Sequence, residues 1–179
     1  MNNYINTMLI SPNTVKNYGA LNINVDDALL GNSIRVAQNV YLKDIVGNDL
    51  VEKLQELVFN KIQNVEDNID SESNEQYKEL LDQYIEPILV YKTIVVAATQ
   101  ISFKLRNAGL VKNSDSNITP VTFTEMIYYR DINETYFNDY CNKLVDYLCA
   151  NSSAFPESNY DCKCGDHPRY ANTNLYLGE

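Results

Sequence analysis

The sequence predicts an all-α fold: a helical bundle of about four main helices, followed by an irregular extended C-terminal tail. Apolar residues recur at helical spacing through most of residues 24–150. Helix-capping patterns precede several of these stretches. Residues 155–179 contain two prolines, two glycines and no usable periodicity. We therefore expect a bundle domain over residues 1–154 and a tail over residues 155–179.

The first elements are short and sharply bounded. Ser11 followed by Pro12 is typical of a helix start, which here opens a short turn. Asn24 is expected to cap the first long helix, and Gly47 to end it. Asn48 can begin the next helix at once, so these two helices must turn sharply against each other. The apolar stripe of the first long helix is Leu30, Ile34, Ala37, Tyr41 and Ile45.

The third and longest helical pattern runs from about residue 75 to residue 107. Pro87 lies inside it and is expected to distort the helix, because proline removes one backbone hydrogen bond. Gly109 is expected to end it. Residues Thr122–Glu125 form a capping-box pattern that opens the fourth helix. Its predicted buried stripe is Met126, Tyr129, Ile132, Tyr136, Tyr140, Leu144, Tyr147 and Leu148.

Charge is concentrated in one segment. The formal net charge is −10, and residues 66–86 hold eight acids and the single base Lys78, so this segment carries −7. The deficit of clustered lysine and arginine argues against a surface that binds nucleic acid by neutralising phosphates. Residues 64–75 are expected to form a mobile surface loop. A solvated acidic face is the simplest explanation of the segment.

Chemically reactive motifs are sparse. Cys162, Cys164 and His167 could supply three ligands to zinc, but the spacing of a structural zinc site is absent, and surface thiols are the alternative. Cys141 and Cys149 are expected to be free, buried thiols. No nucleotide-binding or nucleophile motif is present, so we expect no enzyme activity, no catalytic residue, no metal and no cofactor.

No apolar run approaches the roughly 18 residues of a membrane span, and the N-terminus lacks the pattern of a signal peptide. We therefore expect a soluble protein that has no membrane partner and is not secreted by a signal-peptide route.

The tail carries large apolar side chains that are poorly suited to water. A partner surface could cover them, or they could pack back onto the bundle of the same chain. Both alternatives stay open from the sequence. The residues concerned are Phe155, Tyr160, Tyr170, Leu175, Tyr176 and Leu177.

Several stretches resemble a phage protein family. The resemblance lies in Asn24–Asp27, Ile34–Leu42, Ile45–Leu50, Lys53–Leu54 and Tyr147–Pro156. These are similar to the small helical head-to-tail adaptor proteins (connector or neck-ring proteins) of tailed bacteriophages, especially the ring proteins of crAss-like phages of Bacteroidales.

The resemblance spans residues 9 to about 156 and implies a structural role in the virion. Such proteins form a ring, generally of twelve copies, beneath the portal protein. They join the portal to the next ring or to the tail, and DNA passes through the hole without sequence-specific binding. The implied location is the head-tail neck of a virion assembled in the host cytoplasm. Acids that could then face the lumen are Glu66, Asp67, Asp70, Glu72, Glu75 and Glu79.

Two other functions are compatible with the residues. One is a phage-encoded helical interaction or regulatory module outside the virion. The other is a small zinc-binding protein that uses Cys162, Cys164 and His167.

Overall fold

The computed structural model describes residues 4–19, 21, 24–106, 109–112 and 122–160, with backbone alone for 101–106 and 109–112. The fold is all-α, as predicted, and its helices form one bundle. The helical elements are α1 (Pro12–Tyr18), α2 (Asp27–Val36), a π turn (Ala37–Leu42), α3 (Lys43–Val46), α4 (Asn48–Ile62), a 3₁₀ turn (Glu72–Asn74), α5 (Glu75–Leu80), a second π turn (Leu81–Ile85), α6 (Glu86–Ser102) and α7 (Phe123–Ala150).

A small β-hairpin replaces the predicted end of the third helix. Helix α6 stops at Ser102, and strands β1 (Phe103–Arg106) and β2 (Gly109–Lys112) pair in antiparallel fashion. Phe103 lies opposite Lys112, and Arg106 lies opposite Gly109. Apolar and basic residues alternate along β1, a period-two pattern that favours a strand over a helix. Gly109 therefore begins a strand and does not end a helix.

Helix capping follows the sequence closely. Thr122 and Glu125 form the predicted capping box, in which the Thr122 N–H donates to Glu125 Oε2 at 2.7 Å and the Glu125 N–H donates to Thr122 Oγ1 at 3.2 Å. Ser11 caps α1 through the Thr14 N–H. The cap of α2 is Asp26 rather than Asn24, because the Asp26 carboxylate accepts from the Ala28 N–H at 2.8 Å.

The distortion predicted at Pro87 takes the form of a π turn. Pro87 has no N–H, so the helix cannot make the hydrogen bond that an ordinary residue would donate there. Just before it, the Glu86 N–H donates to the Leu81 carbonyl, five residues back. A π turn of this kind inserts an extra residue into a helix and changes which side chains face the core beyond it.

Helix α6 lies at the centre of the bundle and is antiparallel to α7. The ring centroids of Tyr84 and Tyr147 are 4.3 Å apart, and Lys92 Nζ lies 2.6 Å from Glu134 Oε1. Later residues of α6 therefore meet earlier residues of α7. It follows that α7 begins near the end of α6, after which the hairpin follows in the chain, and that it ends beside the second π turn, within the acidic segment. We call these the hairpin end (residues 103–106, 109–112 and 123–132) and the acidic end (residues 62–79).

The buried side of α7 differs from the predicted stripe. Tyr129 and Tyr136 were expected in the core but are 45% and 49% exposed. Asn133 is buried instead, because its side-chain amide donates to the Tyr129 carbonyl of its own helix at 2.8 Å. Tyrosine pairs an apolar ring with a polar hydroxyl and suits the edge of a core better than its centre. The buried residues of α7 are Asn133, Phe137, Cys141, Leu144, Val145, Leu148 and Cys149.

Candidate functional site

The acidic loop at residues 63–74 lies mostly at the surface, as predicted, and hydrogen bonds connect it to the bundle. The side-chain amide of Asn74, which is 7% exposed, donates to Asp67 Oδ1 at 2.7 Å and to the Asn68 carbonyl at 2.9 Å. Ile69 is 3% exposed, and its N–H donates to the Leu57 carbonyl. These contacts fix the loop against α4, so the acids it carries have defined positions.

The acids predicted to face a lumen all lie on this end of the bundle, and all are exposed. Asp70 differs from the others, because Lys61 Nζ and Lys78 Nζ lie 2.8 and 2.7 Å from its carboxylate oxygens. Hydrogen bonds from Lys61, and then from Lys78, hold the pKa of Asp70 below its ordinary value. Whether these residues face a lumen stays a prediction. They are Glu66, Asp67, Asp70, Glu72, Glu75 and Glu79.

Helix α6 begins with another carboxylate of the acidic segment. Glu86 is half-buried, and its pKa is raised first by burial and then by the nearby charge of Asp82. Ionisation of Glu86 is therefore disfavoured first because its carboxyl group is partly removed from water, and the charge of Asp82 adds to this effect.

The start of the predicted tail belongs to the bundle. Phe155 is 1% exposed, and its ring centroid lies 5.4 Å from that of Tyr77 and 5.9 Å from that of Tyr147. Tyr160 is partly buried and packs against the same core. For these two residues the structure shows packing onto their own chain, so the ring of Phe155 cannot serve a partner. Tyr170, Leu175, Tyr176 and Leu177 lie outside the described residues.

Residues 155–160 approach the bundle closely at two further points. The Tyr77 hydroxyl donates to Glu157 Oε2 at 2.9 Å, and burial together with this acceptor raises the pKa of Tyr77 to about 12. Gly47 has φ +92°, and a Cβ at this position would lie 2.6 Å from the side chain of Asn159. The backbone conformation therefore favours glycine at residue 47, and a Cβ there would also force the Asn159 side chain to move.

At the hairpin end, the first part of α7 extends beyond the core. None of its first ten residues, Phe123–Ile132, is buried. Tyr128 and Phe123 are 69% and 62% exposed, the two highest values among the exposed large apolar side chains of the described residues. Aromatic side chains are enriched in protein interfaces, so Phe123 and Tyr128 are candidates for contact with a partner.

A cavity of about 380 Å³ opens between α2, α6 and α7. At its inner side, Lys92 forms an ion pair with Glu134, and their side chains are only 4% and 15% exposed. Lys92 Nζ also lies 4.0 Å from the centroid of the Tyr41 ring and 4.4 Å from that of Phe137. The carboxylate and the two rings together compensate the buried ammonium.

Sequence reasoning missed these features for identifiable reasons. Lys92 and its partner Glu134 are 42 residues apart in the sequence. No local pattern reports such a pairing. Arg130, whose side chain is 41% exposed, also lines the cavity. The sequence weakly indicated that Phe123 and Tyr128 are exposed, because both lie outside the apolar stripe predicted for α7.

The prediction of free, buried thiols is right for Cys141 and wrong for Cys149. Cys141 is a free thiol buried in the core, as predicted, and burial raises its pKa. Cys149 is disulfide-bonded, so the expectation of a free thiol is wrong for it. Cys162, Cys164 and His167 lie outside the described residues. Within the described ranges, no three His, Cys, Asp or Glu side chains are grouped closely enough to hold a metal ion.

None of the helices in the described part combines the length and apolar character that a membrane span requires.

Comparison with known proteins identifies the chain at the level of a family. No curated protein and no solved structure matches it. One family model, described as "Family of unknown function (DUF6712)", matches residues 42–168, which is more than half of the chain. This match includes α4–α7, the acidic end and the hairpin end. The chain therefore belongs to the DUF6712 family.

Proposed function

We propose that this protein is a structural subunit of a ring in the neck of a tailed phage virion. In this role it binds neighbouring copies of itself in a ring of about twelve, as the resemblance implies. It joins the portal protein to adjacent neck or tail proteins, and DNA passes through the ring. The role is mechanical and requires no catalytic residue.

The observation that carries the proposal is the projecting first part of α7. Phe123 and Tyr128 keep most of their surface in water at one end of a bundle whose core is otherwise well covered. Removing apolar surface from water is favourable by about 25 cal/mol per Å². A protein partner at this end would gain that free energy, as the subunits of a permanent assembly do.

The acidic end supports the proposal in a second way. Its carboxylates are exposed, and the loop that carries them is fixed by hydrogen bonds. Ordered negative charge repels the phosphates of DNA, so DNA can slide past such a surface without binding. An acidic lining therefore fits a channel for DNA.

Quantitative mass spectrometry of purified particles tests the proposal. Particles of the phage that encodes this chain should contain it in a ratio near one to the portal protein. Abundant host proteins, quantified in the same sample, control for contamination. Absence of the chain from particles would overturn the proposal.

The same sample separates the two other functions. A regulatory module should be found in infected cells and be missing from particles. A zinc-binding protein should purify with about one zinc per chain and lose that zinc in the variant Cys162→Ser.

A further inference from the structure

We propose that a cluster of four tyrosines at the surface of the bundle binds an arginine or lysine side chain of a partner protein. We call it the tyrosine cluster, and it consists of Tyr18, Tyr91, Tyr136 and Tyr140. The proposal rests on the proposed function and names the chemistry by which this subunit recognises another protein of the neck.

The four rings form one continuous surface that three helices build together. The centroid of the Tyr91 ring, in α6, lies 6.0 Å from that of Tyr18 in α1. The centroids of Tyr136 and Tyr140, both in α7, lie 5.2 and 5.8 Å from the Tyr91 centroid. Tyr18 and Tyr136 are 42% and 49% exposed, so part of this surface is open to a partner. Tyrosine gives a partner a large, rigid contact at a low cost in conformational entropy.

Carboxylates place negative charge beside the rings. Burial and then the neighbouring tyrosines raise the pKa of Tyr18, and the charge of Glu86 adds to this effect, so the Glu86 carboxylate lies close to Tyr18. The charge of Asp82, four residues earlier, acts on Glu86 in turn. None of the ion pairs among the described residues includes Glu86 or Asp82. A cation placed here would favour the charged forms of both carboxylates.

The bases near the tyrosines in the chain do not cancel this negative charge, because each already has an acid of its own. Their ammonium groups all lie 2.6 Å from a carboxylate oxygen: Lys16 from Asp27, Lys92 from Glu134 and Lys143 from Asp139. Glu86 and Asp82 therefore set the sign of the charge that a partner meets. Complementary charge then favours a cationic partner over an anionic one such as DNA.

The chain already holds two of its own lysines between aromatic rings and a carboxylate. Lys92 is enclosed in this way in the core, as described above. At the edge of the tyrosine cluster, Lys143 Nζ lies 4.8 Å from the centroid of the Tyr140 ring and 2.6 Å from Asp139 Oδ2. Tyr18 and Glu86 repeat this combination of ring and carboxylate, and no lysine or arginine of the described residues occupies it. A cation is attracted to the face of a tyrosine ring, so an arginine or lysine of a partner completes the arrangement.

Titration of the full chain with two synthetic peptides tests the site. The probe is a capped pentapeptide of alternating glycine and arginine with two arginines, and its matched control carries citrulline, the uncharged analogue of arginine, in their place. Nuclear magnetic resonance of isotope-labelled tyrosine rings follows binding at the cluster. The arginine peptide should bind with a Kd of about 1 mM or tighter, and the citrulline peptide at least about tenfold more weakly.

Three variants locate the binding, and circular dichroism with thermal unfolding confirms that each one folds. Tyr18→Leu with Glu86→Gln removes one ring and one charge, and it should weaken binding of the arginine peptide at least about tenfold. Glu86→Gln alone, which keeps every ring, should weaken it at least about threefold. Tyr18→Phe keeps the ring and should bind within about twofold of the native chain.

A matched control shows whether the acidity of the whole chain is the cause. Phe123→Leu with Glu72→Gln also removes one exposed ring and one acid, and Phe123 lies about 20 Å from Tyr136 along α7. This control should bind within about twofold of the native chain. Equal losses in the control and in Tyr18→Leu with Glu86→Gln would overturn the site, and so would equal binding of the two peptides.

Failure of the site is distinguishable from failure of the proposed function. If the chain occurs in particles at the portal ratio but the arginine peptide does not bind, the neck role stands and the partner uses another surface. If the peptide binds as expected but the chain is absent from particles, the site stands and the neck role fails.

Discussion

The ammonium group of Lys92 lies in the interior of the bundle, between a carboxylate and two aromatic rings. Taking a charge out of water is costly, and a buried ion pair typically recovers this cost without a large net gain. Removing one partner is different, because the other charge then stays in a site with little access to water. Removing the Lys92 side chain should therefore lower the free energy of unfolding by much more than the intact ion pair adds to it.

We expect Lys92→Met to lower the free energy of unfolding by about 3–5 kcal/mol. The reason is that Glu134, which is 15% exposed, loses the ammonium group 2.6 Å away. Urea denaturation measures the change. Lys143→Met is the matched control, since it breaks the exposed pair with Asp139 and should change stability by less than about 1 kcal/mol. Equal effects of the two substitutions would contradict the burial of the Lys92 pair.

Phe155 marks where the bundle continues past the end of α7. Its ring fills a space between Tyr77 and Tyr147, so its truncation should leave a cavity. We expect Phe155→Ala to lower the free energy of unfolding by about 3–5 kcal/mol, and Phe123→Ala, which is 62% exposed, to change it by less than about 0.5 kcal/mol. Denaturant unfolding of both variants compares them. A negligible effect of Phe155→Ala would mean that this ring does not pack in the core, and Phe155 would again be a candidate for contact with a partner.

At the scale of the elements, predictions succeeded where structure depends on neighbouring residues. The capping box at Thr122 and the distortion before Pro87 are set by hydrogen bonds within a few positions, so the sequence contains them. The β-hairpin was missed because its strands have four residues each, too few for a period of two to stand out against a long helical pattern. The ion pair of Lys92 was missed because it joins residues that are distant in the chain.

Helix α7 consists of two parts that differ in how they are stabilised. From Asn133 onward it buries a continuous row of side chains, whereas Phe123–Ile132 buries none. Most helical stability in proteins comes from such packing, and isolated short helices are marginal in water. The capping box stabilises the beginning of the helix but does not replace a packed face.

We therefore expect the backbone amides of residues 126–132 to exchange hydrogen faster than those of residues 137–148 in the dissociated chain. Hydrogen exchange followed by mass spectrometry measures this at peptide resolution. Thr122→Ala, which removes the cap, should accelerate exchange further in the first part and leave the second part unchanged. Uniform protection along the whole of α7 would show that the first part is as stable as the second.

At the scale of the whole molecule, the uneven distribution of charge lowers the stability of the folded subunit. The segment from residue 66 to residue 86 holds −7 of the net −10, and Lys61 and Lys78 offset only Asp70 in part. Like charges held close together destabilise the compact state of a single subunit.

Salt should consequently stabilise the dissociated chain. At about 1 µM, where weak self-association contributes little, raising NaCl from about 20 to 200 mM should raise the melting temperature by a few degrees, because screening reduces the repulsion within the acidic segment. Calorimetry or circular dichroism measures the shift.

Two variants show whether this segment is the source of the effect. Replacing Glu66, Glu72, Glu75 and Glu79 by Gln should remove most of the rise in melting temperature. The control neutralises four acids outside the segment and should keep most of it, since those charges are spread over the surface; they are Asp44, Asp49, Glu56 and Asp139. A melting temperature that falls with salt, or an equal loss in both variants, would mean that repulsion is not concentrated at the acidic end.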